Sequence, residues 1–171
     1  MTTVAVYHNS VPSRNNQEKI DILKNFSAGV QAVGDTCYDV TDNHCIETDV
    51  GVIQGWVSQL NAQPHIVLRN AVIDNQLARK KYVVSADSNL FLYANKTNPM
   101  HYLRYSFNGV FPSTGIYCDD QPDPARWKKI SQNLNISLKD YRTTGEHILL
   151  CLQRNGGWSM SGVDVQDWAN T

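Results

Sequence analysis

The chain has 171 residues, of which 42 % are hydrophobic and 18 % charged, and its formal net charge is −1 at pH 7. This length allows one domain with a sizeable core and excludes two complete α/β domains of ordinary size. The composition excludes a disordered or fibrous chain, and the small net charge excludes a general field for binding polyanions.

The N-terminal residues and the cysteines predict a cytoplasmic protein. Residues 1–8 (MTTVAVYH) lack the basic region and the long apolar region of a secretion signal. The longest apolar run, 148–152, is far shorter than the roughly 20 residues that cross a bilayer, so no membrane partner is expected. No Cys-x-x-Cys pair occurs among the four cysteines, which are expected to be reduced: Cys37, Cys45, Cys118 and Cys151.

The first part of the chain alternates between strand and helix patterns. Residues 3–7 (TVAVY) form a short β-prone run, and apolar residues then recur at helical spacing over 16–33. Gly34 follows this helix at the position where a left-handed residue often ends one. Two further strands are expected at 36–40 and 50–54.

The second part of the chain continues this alternation and then loses it. A helix is expected from Pro64 to about residue 80, followed by a strand at 82–85. The abundance of Asn, Pro, Gly, Ser and aromatic residues predicts irregular loops over 95–121. A helix over 124–134 and a strong strand at 147–152 complete the pattern. Strands separated by helices predict an α/β fold with a Rossmann-like, mainly parallel sheet flanked by helices.

The candidate site lies in the residues that follow the strands, because ligands of open parallel sheets bind outside the carboxyl ends of the strands. His8 follows the first strand and Asp87 the fourth. A histidine ordinarily titrates at about pH 6.5 and can act as a general base toward a hydroxyl, with Asp87 orienting the imidazole or replacing it. The alternative is that both side chains only cap loops and helices.

The segment 153–157 (QRNGG) has the features of an anion-binding turn. The pair Gly156-Gly157 lets backbone N–H groups approach an anion closely, Arg154 supplies a bidentate donor, and Ser159 can add a hydroxyl. The segment is neither a Walker motif nor a complete Gly-x-Gly-x-x-Gly fingerprint. An ordinary tight turn after a strand is the alternative.

The segment 101–107 (HYLRYSF) interleaves aromatic and basic residues. It can form a stacking surface for a sugar or a base, or it can pin a loop to the core, and the sequence leaves both alternatives open. Metal binding is not expected, because Cys37, His44 and Cys45 lack the spacing of a zinc site and no His-Glu-x-x-His occurs.

Four segments together resemble bacteriophage-encoded glycosyltransferase-like proteins of the two-Rossmann-domain, GT-B type. The segments are 51–56 (GVIQGW), 102–109 (YLRYSFNG), 126–127 (RW) and 141–154 (YRTTGEHILLCLQR), and the similarity covers most of the chain from about Val50 onward. The resemblance implies an acceptor-side Rossmann-like domain over 1–145. It also implies that 146–171 holds the first strand, the glycine-rich loop and the helix start of an incomplete second domain.

The same resemblance implies transfer of a sugar from a nucleotide-sugar donor to a hydroxyl of an acceptor glycan or modified nucleobase. The nucleotide sugar is a co-substrate, no further cofactor is implied, and the location is the host cytoplasm if the chain is phage-encoded. His8 or Asp87 would be the catalytic base. The other implied contacts are, for the donor diphosphate, Arg142, Gln153, Arg154, Gly156, Gly157 and Ser159, and for the acceptor, Asn9, Trp56, Tyr102 and Arg104.

Two alternatives to this assignment stay open. A donor domain needs more strands than 146–171 provides, and it needs an acidic residue for the ribose or the sugar. The chain is therefore expected to be part of a longer protein, or a reduced fold whose missing half comes from another subunit of a homo-oligomer. The rival function is a non-catalytic Rossmann-like module that binds a nucleotide, a glycan or a protein partner.

Overall fold

The computed structural model describes most of the first 89 residues and shorter stretches of the remainder. The described residues are 1–12, 17–57, 62–89, 103–110, 115–116, 123–140, 144–146, 150–152, 155 and 162–170. The chain divides into two compact units, Met1–Ala125 and Arg126–Thr171. These units are defined by their internal contacts, and the domain boundary predicted after residue 145 stays a prediction.

The first unit is built on a five-stranded sheet with the order β2-β1-β3-β4-β5. Strands β1 to β4 run parallel to one another, and β5 runs antiparallel to its neighbour β4. The predicted α/β fold with a mainly parallel sheet is therefore confirmed. The strands are β1 (Thr3–Tyr7), β2 (Thr36–Val40), β3 (Val50–Gln54), β4 (Tyr82–Asn89) and β5 (Leu103–Phe107).

Two helices of the first unit, α1 (Gln17–Ala32) and α2 (Pro64–Ala78), pack on opposite faces of this sheet. Successive side chains of a strand point to opposite faces, so β1 contributes Val4 and Val6 to the core under α1 and Ala5 and Tyr7 to the core under α2. Both helices begin and end within two residues of their predicted limits. Gly34 has the left-handed φ of 88° that its position after α1 predicted.

The prediction of irregular loops over 95–121 is wrong for the five residues of β5. The run LRYSF has the alternation of an edge strand: Tyr105 packs on the core under α1, with its ring 5.6 Å from that of Phe26, and Phe107 bonds to Ile116 across an isolated bridge. The surrounding Asn, Pro and Gly residues hid this short strand.

The second unit contains α3 (Ala125–Leu134), which begins at the last residue of the first unit, and α4 (Val165–Ala169). The helix α3 confirms the helix predicted over 124–134. Asp164 caps α4 by accepting hydrogen bonds from the backbone N–H groups of Gln166 and Asp167. None of the helices in the described part of the chain has both the length and the apolar character needed to cross a bilayer.

The strand predicted over 147–152 is wrong where the structure describes it. Residues 150–152 have no regular secondary structure, and Leu150 and Leu152 are about half exposed. A strand needs a neighbour for its backbone hydrogen bonds, and the described residues of the second unit include no strand to supply one. Residues 147–149 lie outside the described residues.

Candidate functional site

The strand order creates a crevice at the carboxyl ends of β1 and β3. Because β2 and β3 lie on opposite sides of β1, the chain leaves β1 toward one face of the sheet and β3 toward the other. A cleft of about 420 Å³ lies there. It is lined by four residues that follow β1 and by residues of α1, the β2–β3 connection and the start of α2: His8, Asn9, Val11, Pro12, Ile20, Asn43, Pro64 and His65.

His8 begins a 3₁₀ turn, His8–Ser10, that directly follows β1, and its side chain is only 9 % exposed. Its Nε2 atom lies 2.6 Å from Oδ1 of Asp39 near the end of β2, and the Ser27 hydroxyl donates to the same oxygen at 2.6 Å. Partial burial raises the pKa of Asp39, but the hydrogen bonds from Ser27 and His8 outweigh this effect and hold that pKa below its usual value. Asp39 is therefore ionised at neutral pH.

The Asp39 contact fixes the tautomer of neutral His8. An ionised carboxylate can only accept hydrogen bonds, so Nε2 carries the proton and Nδ1 carries the lone pair. The Nδ1 atom is buried and has no hydrogen-bond partner among the described residues. An imidazole held by a carboxylate at one nitrogen, with a lone pair at the other, is the arrangement of a general base.

A buried hydrogen-bond network ties the turn that carries His8 to the end of β3. The Ser10 hydroxyl donates to the Tyr7 carbonyl at 2.6 Å and accepts from the Gln54 backbone N–H at 2.9 Å. Arg69 of α2 donates from Nε to the Ser10 carbonyl at 2.7 Å and from Nη2 to Oε1 of Gln54 at 2.8 Å. Hydrogen bonds therefore hold the turn that carries His8 to β1, β3 and α2 at once.

A second histidine, His65, enters the cleft from the first turn of α2. Burial lowers the pKa of His65, and the positive charge of Arg69 lowers it further. His65 is therefore neutral at neutral pH and can donate or accept a hydrogen bond.

Asp87 and Arg104, two of the predicted site residues, form an ion pair with each other near the end of β4 and the start of β5. The carboxylate that contacts His8 is that of Asp39, and Asp87 acts instead on the buried guanidinium of Arg69, whose pKa it raises against the effect of burial. The structure thus places Asp87 beside Arg104 and joins His8 to Asp39.

Among the other predicted residues, Asn9 lines the cleft, and its Nδ2 donates to the Thr41 carbonyl at 2.8 Å and to Oδ1 of Asn43 at 3.3 Å. Trp56 packs on the core under α2 and is not among the described residues that line the cleft. The remaining predicted site residues lie outside the described residues, and their roles stay predictions: Tyr102, Arg142, Gln153, Arg154, Gly156, Gly157 and Ser159.

The sequence analysis missed Asp39, His65 and Arg69. Asp39 is a charged residue inside a β-prone run (TCYDV), and its distance from His8 along the chain hid the contact. Arg69 carries a readable signal, because it falls on the helix face that also holds the buried Leu68 and Val72. A charged residue on an apolar face indicates a buried polar network.

The cleft carries no fixed ionic side chain in its described lining, since no Lys, Arg, Asp or Glu contributes to it. No group of three His, Cys, Asp or Glu side chains suited to a metal ion occurs within the described ranges. The described lining therefore offers two amides, two imidazoles and apolar walls of Val, Ile and Pro, which suit an uncharged ring bearing hydroxyl groups.

No model of a known protein family matches the sequence, and no curated protein matches it. The chemistry of the cleft is therefore the basis for assigning a function.

Proposed function

We propose that this chain takes part in transferring a sugar from a nucleotide-sugar donor to an acceptor hydroxyl bound in the cleft, with His8 as the general base. The observation that supports this most directly is the His8 imidazole itself. Its Nε2 is 2.6 Å from the ionised Asp39, and its buried Nδ1 has no partner among the described residues. Neighbouring atoms cover Nδ1, so a ligand hydroxyl would have to displace them in order to donate to this atom and satisfy it.

In the proposed reaction the acceptor oxygen attacks the anomeric carbon of the donor sugar while its proton moves to Nδ1 of His8. The new bond joins the acceptor oxygen to the anomeric carbon, and the bond from that carbon to the diphosphate oxygen breaks. The nucleoside diphosphate leaves with the bonding electron pair. Asp39, whose side chain is 48 % exposed but contacts Nε2 of His8, stabilises the imidazolium that forms, as a carboxylate does beside a histidine base.

The lining of the cleft favours an acceptor over a diphosphate as its occupant. Asn9, Asn43 and His65 offer hydrogen bonds to hydroxyl groups, and Val11 and Ile20 offer an apolar wall to a ring. A diphosphate would call for cationic side chains, and none occurs in the described lining. We therefore assign the cleft to an acceptor glycan or a hydroxyl-bearing modified nucleobase.

The donor half of the proposal rests on the sequence pattern. The diphosphate is assigned to the glycine-rich segment 153–157 with help from Arg142 and Ser159, because these residue types bind anions. The GT-B architecture, a phage origin, a cytoplasmic location and assembly with a second subunit belong to the same proposal.

A second candidate function is a non-catalytic module that binds a glycan or a nucleotide. It is favoured by the second unit, whose described residues contain helices but no strand on which a donor site could be built. Such a module would use the same cleft and would need no proton transfer.

A thermal-shift screen of the full chain, followed by product analysis, separates these functions. A ligand present at 100 times its Kd adds about 2.7 kcal/mol to the free energy of unfolding, which is readily detected. Sugar transfer predicts stabilisation by a nucleotide sugar and release of nucleoside diphosphate when acceptor glycans or nucleosides are added. Stabilisation by a glycan or nucleoside alone, with no diphosphate released from any donor, would support the binding module and contradict sugar transfer.

A further inference from the structure

Arg69 is a buried cation whose hydrogen-bond partners among the described residues are uncharged. Its side chain is 7 % exposed, and it donates to the Ser10 carbonyl and to the Gln54 amide oxygen. Among the described residues no carboxylate lies within ion-pair distance of it, and Asp87, which acts on it through space, is already paired with Arg104. Burying a charge without a direct counter-ion is unfavourable, so this charge calls for an explanation beyond packing.

The guanidinium fixes two acceptors in one geometry. Nε holds the carbonyl of Ser10, the last residue of the turn that begins with His8, and Nη2 holds the side chain of Gln54 at the end of β3. A lysine would place its charge nearby, but one ammonium on a flexible stem cannot reproduce this planar two-point contact. The position of the His8 turn relative to β3 therefore depends on arginine.

The chain leaves room for this guanidinium at Gly55. A Cβ atom at Gly55 would stand 3.3 Å from Nη1 of Arg69, and the φ of Gly55 is 75°, which disfavours any other residue. The loop after β3 therefore accommodates both the volume and the contacts of Arg69.

The charge of Arg69 also acts on the pKa of His65. The two residues are four apart on α2 and so share one face of the helix. Burial and then the Arg69 charge lower the pKa of His65. Among the described residues, the other charged groups that act on this network are Asp39, which is hydrogen-bonded to His8, and Asp87, which acts on Arg69.

We propose that Arg69 is the positioning residue of the cleft, because it holds the turn that carries His8 against the end of β3. The charge of Arg69 also disfavours the protonated form of His65, which lines the cleft. This inference rests on the proposed function for the identity of the ligand. The placement and the electrostatic effect of Arg69 can be tested without any ligand.

The test is an NMR titration of the histidine ring nitrogens in the full chain, comparing the parent with Arg69→Met, Arg69→Lys and the control Arg79→Met. Arg79 caps the far end of α2 and donates to the Thr48 carbonyl at 2.8 Å. In Arg69→Met the titration midpoint of His65 moves to higher pH, and His8 loses its preference for a proton on Nε2. In Arg69→Lys the titration midpoint of His65 stays near that of the parent, because the charge is kept. The preference of His8 for a proton on Nε2 is still lost. Arg79→Met leaves both unchanged.

A His65 midpoint in Arg69→Met equal to that of the parent would overturn the inference, as would an equal change in Arg79→Met. If Arg69→Met fails to fold, the test rests on Arg69→Lys alone. An unchanged preference of His8 for a proton on Nε2 in that variant overturns the positioning role. Failure of the proposed function gives a different result, namely no diphosphate release from any nucleotide sugar while the titrations behave as stated.

Discussion

The polar groups at the two ends of the sheet differ in how completely their hydrogen bonds are satisfied. At the amino end, Asp49 accepts hydrogen bonds from the backbone N–H and the hydroxyl of Thr3 and from the ammonium of Lys81, at 3.0, 2.8 and 2.8 Å. Asp35 accepts from the backbone N–H of Thr2 at 2.8 Å. These contacts join β1 to the residues that precede its neighbouring strands, and they give Asp35, Asp49 and Lys81 each a partner.

At the carboxyl end the polar groups are buried but incompletely satisfied. Among the described residues, Nδ1 of His8 has no hydrogen-bond partner, and Arg69 is buried without a direct counter-ion. Unsatisfied buried groups lower stability, so a fold keeps them only where they serve another purpose. The comparison assigns stability to the amino end and supports the proposal that the carboxyl end binds a ligand.

The largest expected effect tests the carboxyl end directly. His8→Ala should lower turnover by roughly 10²- to 10⁴-fold while leaving donor affinity nearly unchanged, because only the proton acceptor is lost. Turnover is measured as nucleoside diphosphate released in the presence of acceptor, and donor affinity by calorimetric titration.

The matched control is His44→Ala, which removes an exposed histidine paired with Asp42 outside the cleft. It should behave as the parent does. Equal turnover in His8→Ala and the parent would remove His8 from the mechanism, and loss of folding in His8→Ala would show that the imidazole serves the fold.

A smaller effect is expected in the glycine-rich segment 153–157, the proposed site of the donor diphosphate. Arg154→Ala should remove a charge-assisted hydrogen bond worth about 1.5–3 kcal/mol and weaken nucleotide-sugar binding by roughly 10- to 150-fold. Gly157→Val should also weaken binding, because a β-branched side chain disfavours positive φ and blocks close approach of the backbone. Unchanged affinity in both folded variants, by calorimetry, would reduce this segment to an ordinary turn.

At the amino end, Asp49→Asn should lower the free energy of unfolding and leave turnover unchanged. The hydrogen bonds from Lys81 and Thr3 hold the pKa of Asp49 well below its usual value. A carboxyl with a lowered folded-state pKa stabilises the fold above its unfolded pKa of about 3.9, and that contribution is lost as the pH falls toward the folded-state value.

Urea unfolding at neutral and acidic pH measures this contribution. The parent should lose more stability than Asp49→Asn as the pH falls through that window. A change in turnover without a change in stability would reverse the comparison between the two ends of the sheet.

The parallel part of the sheet could be predicted because its strands are short apolar runs separated by clear helical periods. The edge strand β5 could not, because LRYSF is short, polar at alternate positions and surrounded by turn-forming residues. The strand predicted over 147–152 fails at its described residues, 150–152, for the opposite reason: its apolar run suits a strand, but regular structure also depends on a neighbouring strand.

The site could be located but only partly assembled from the sequence. His8 follows a strand, and the topology places such residues at the ligand edge. Its partner Asp39 is 31 residues away, and nothing local in the sequence distinguishes that carboxylate from Asp87. Strand order brings Asp39 to His8, because β2 pairs with β1 whereas β4 lies beyond β3.

The smallest expected effect concerns His65 and the pH dependence of stability. Burial and the Arg69 charge lower its pKa in the folded protein, so as the pH falls below the unfolded value of about 6.5 the unfolded chain takes up this proton first. The free energy of unfolding therefore decreases from about pH 6.5 down to the folded-state pKa of His65.

His65→Gln keeps a polar side chain but removes the titration of His65. In urea unfolding at a series of pH values, the free energy of unfolding of this variant should therefore fall less than that of the parent over the same interval. Contributions from His8 and the carboxylates are common to both proteins and cancel in the difference. Parallel curves for the parent and His65→Gln would show that His65 titrates alike in the folded and unfolded chain, and that the Arg69 charge does not act on the cleft.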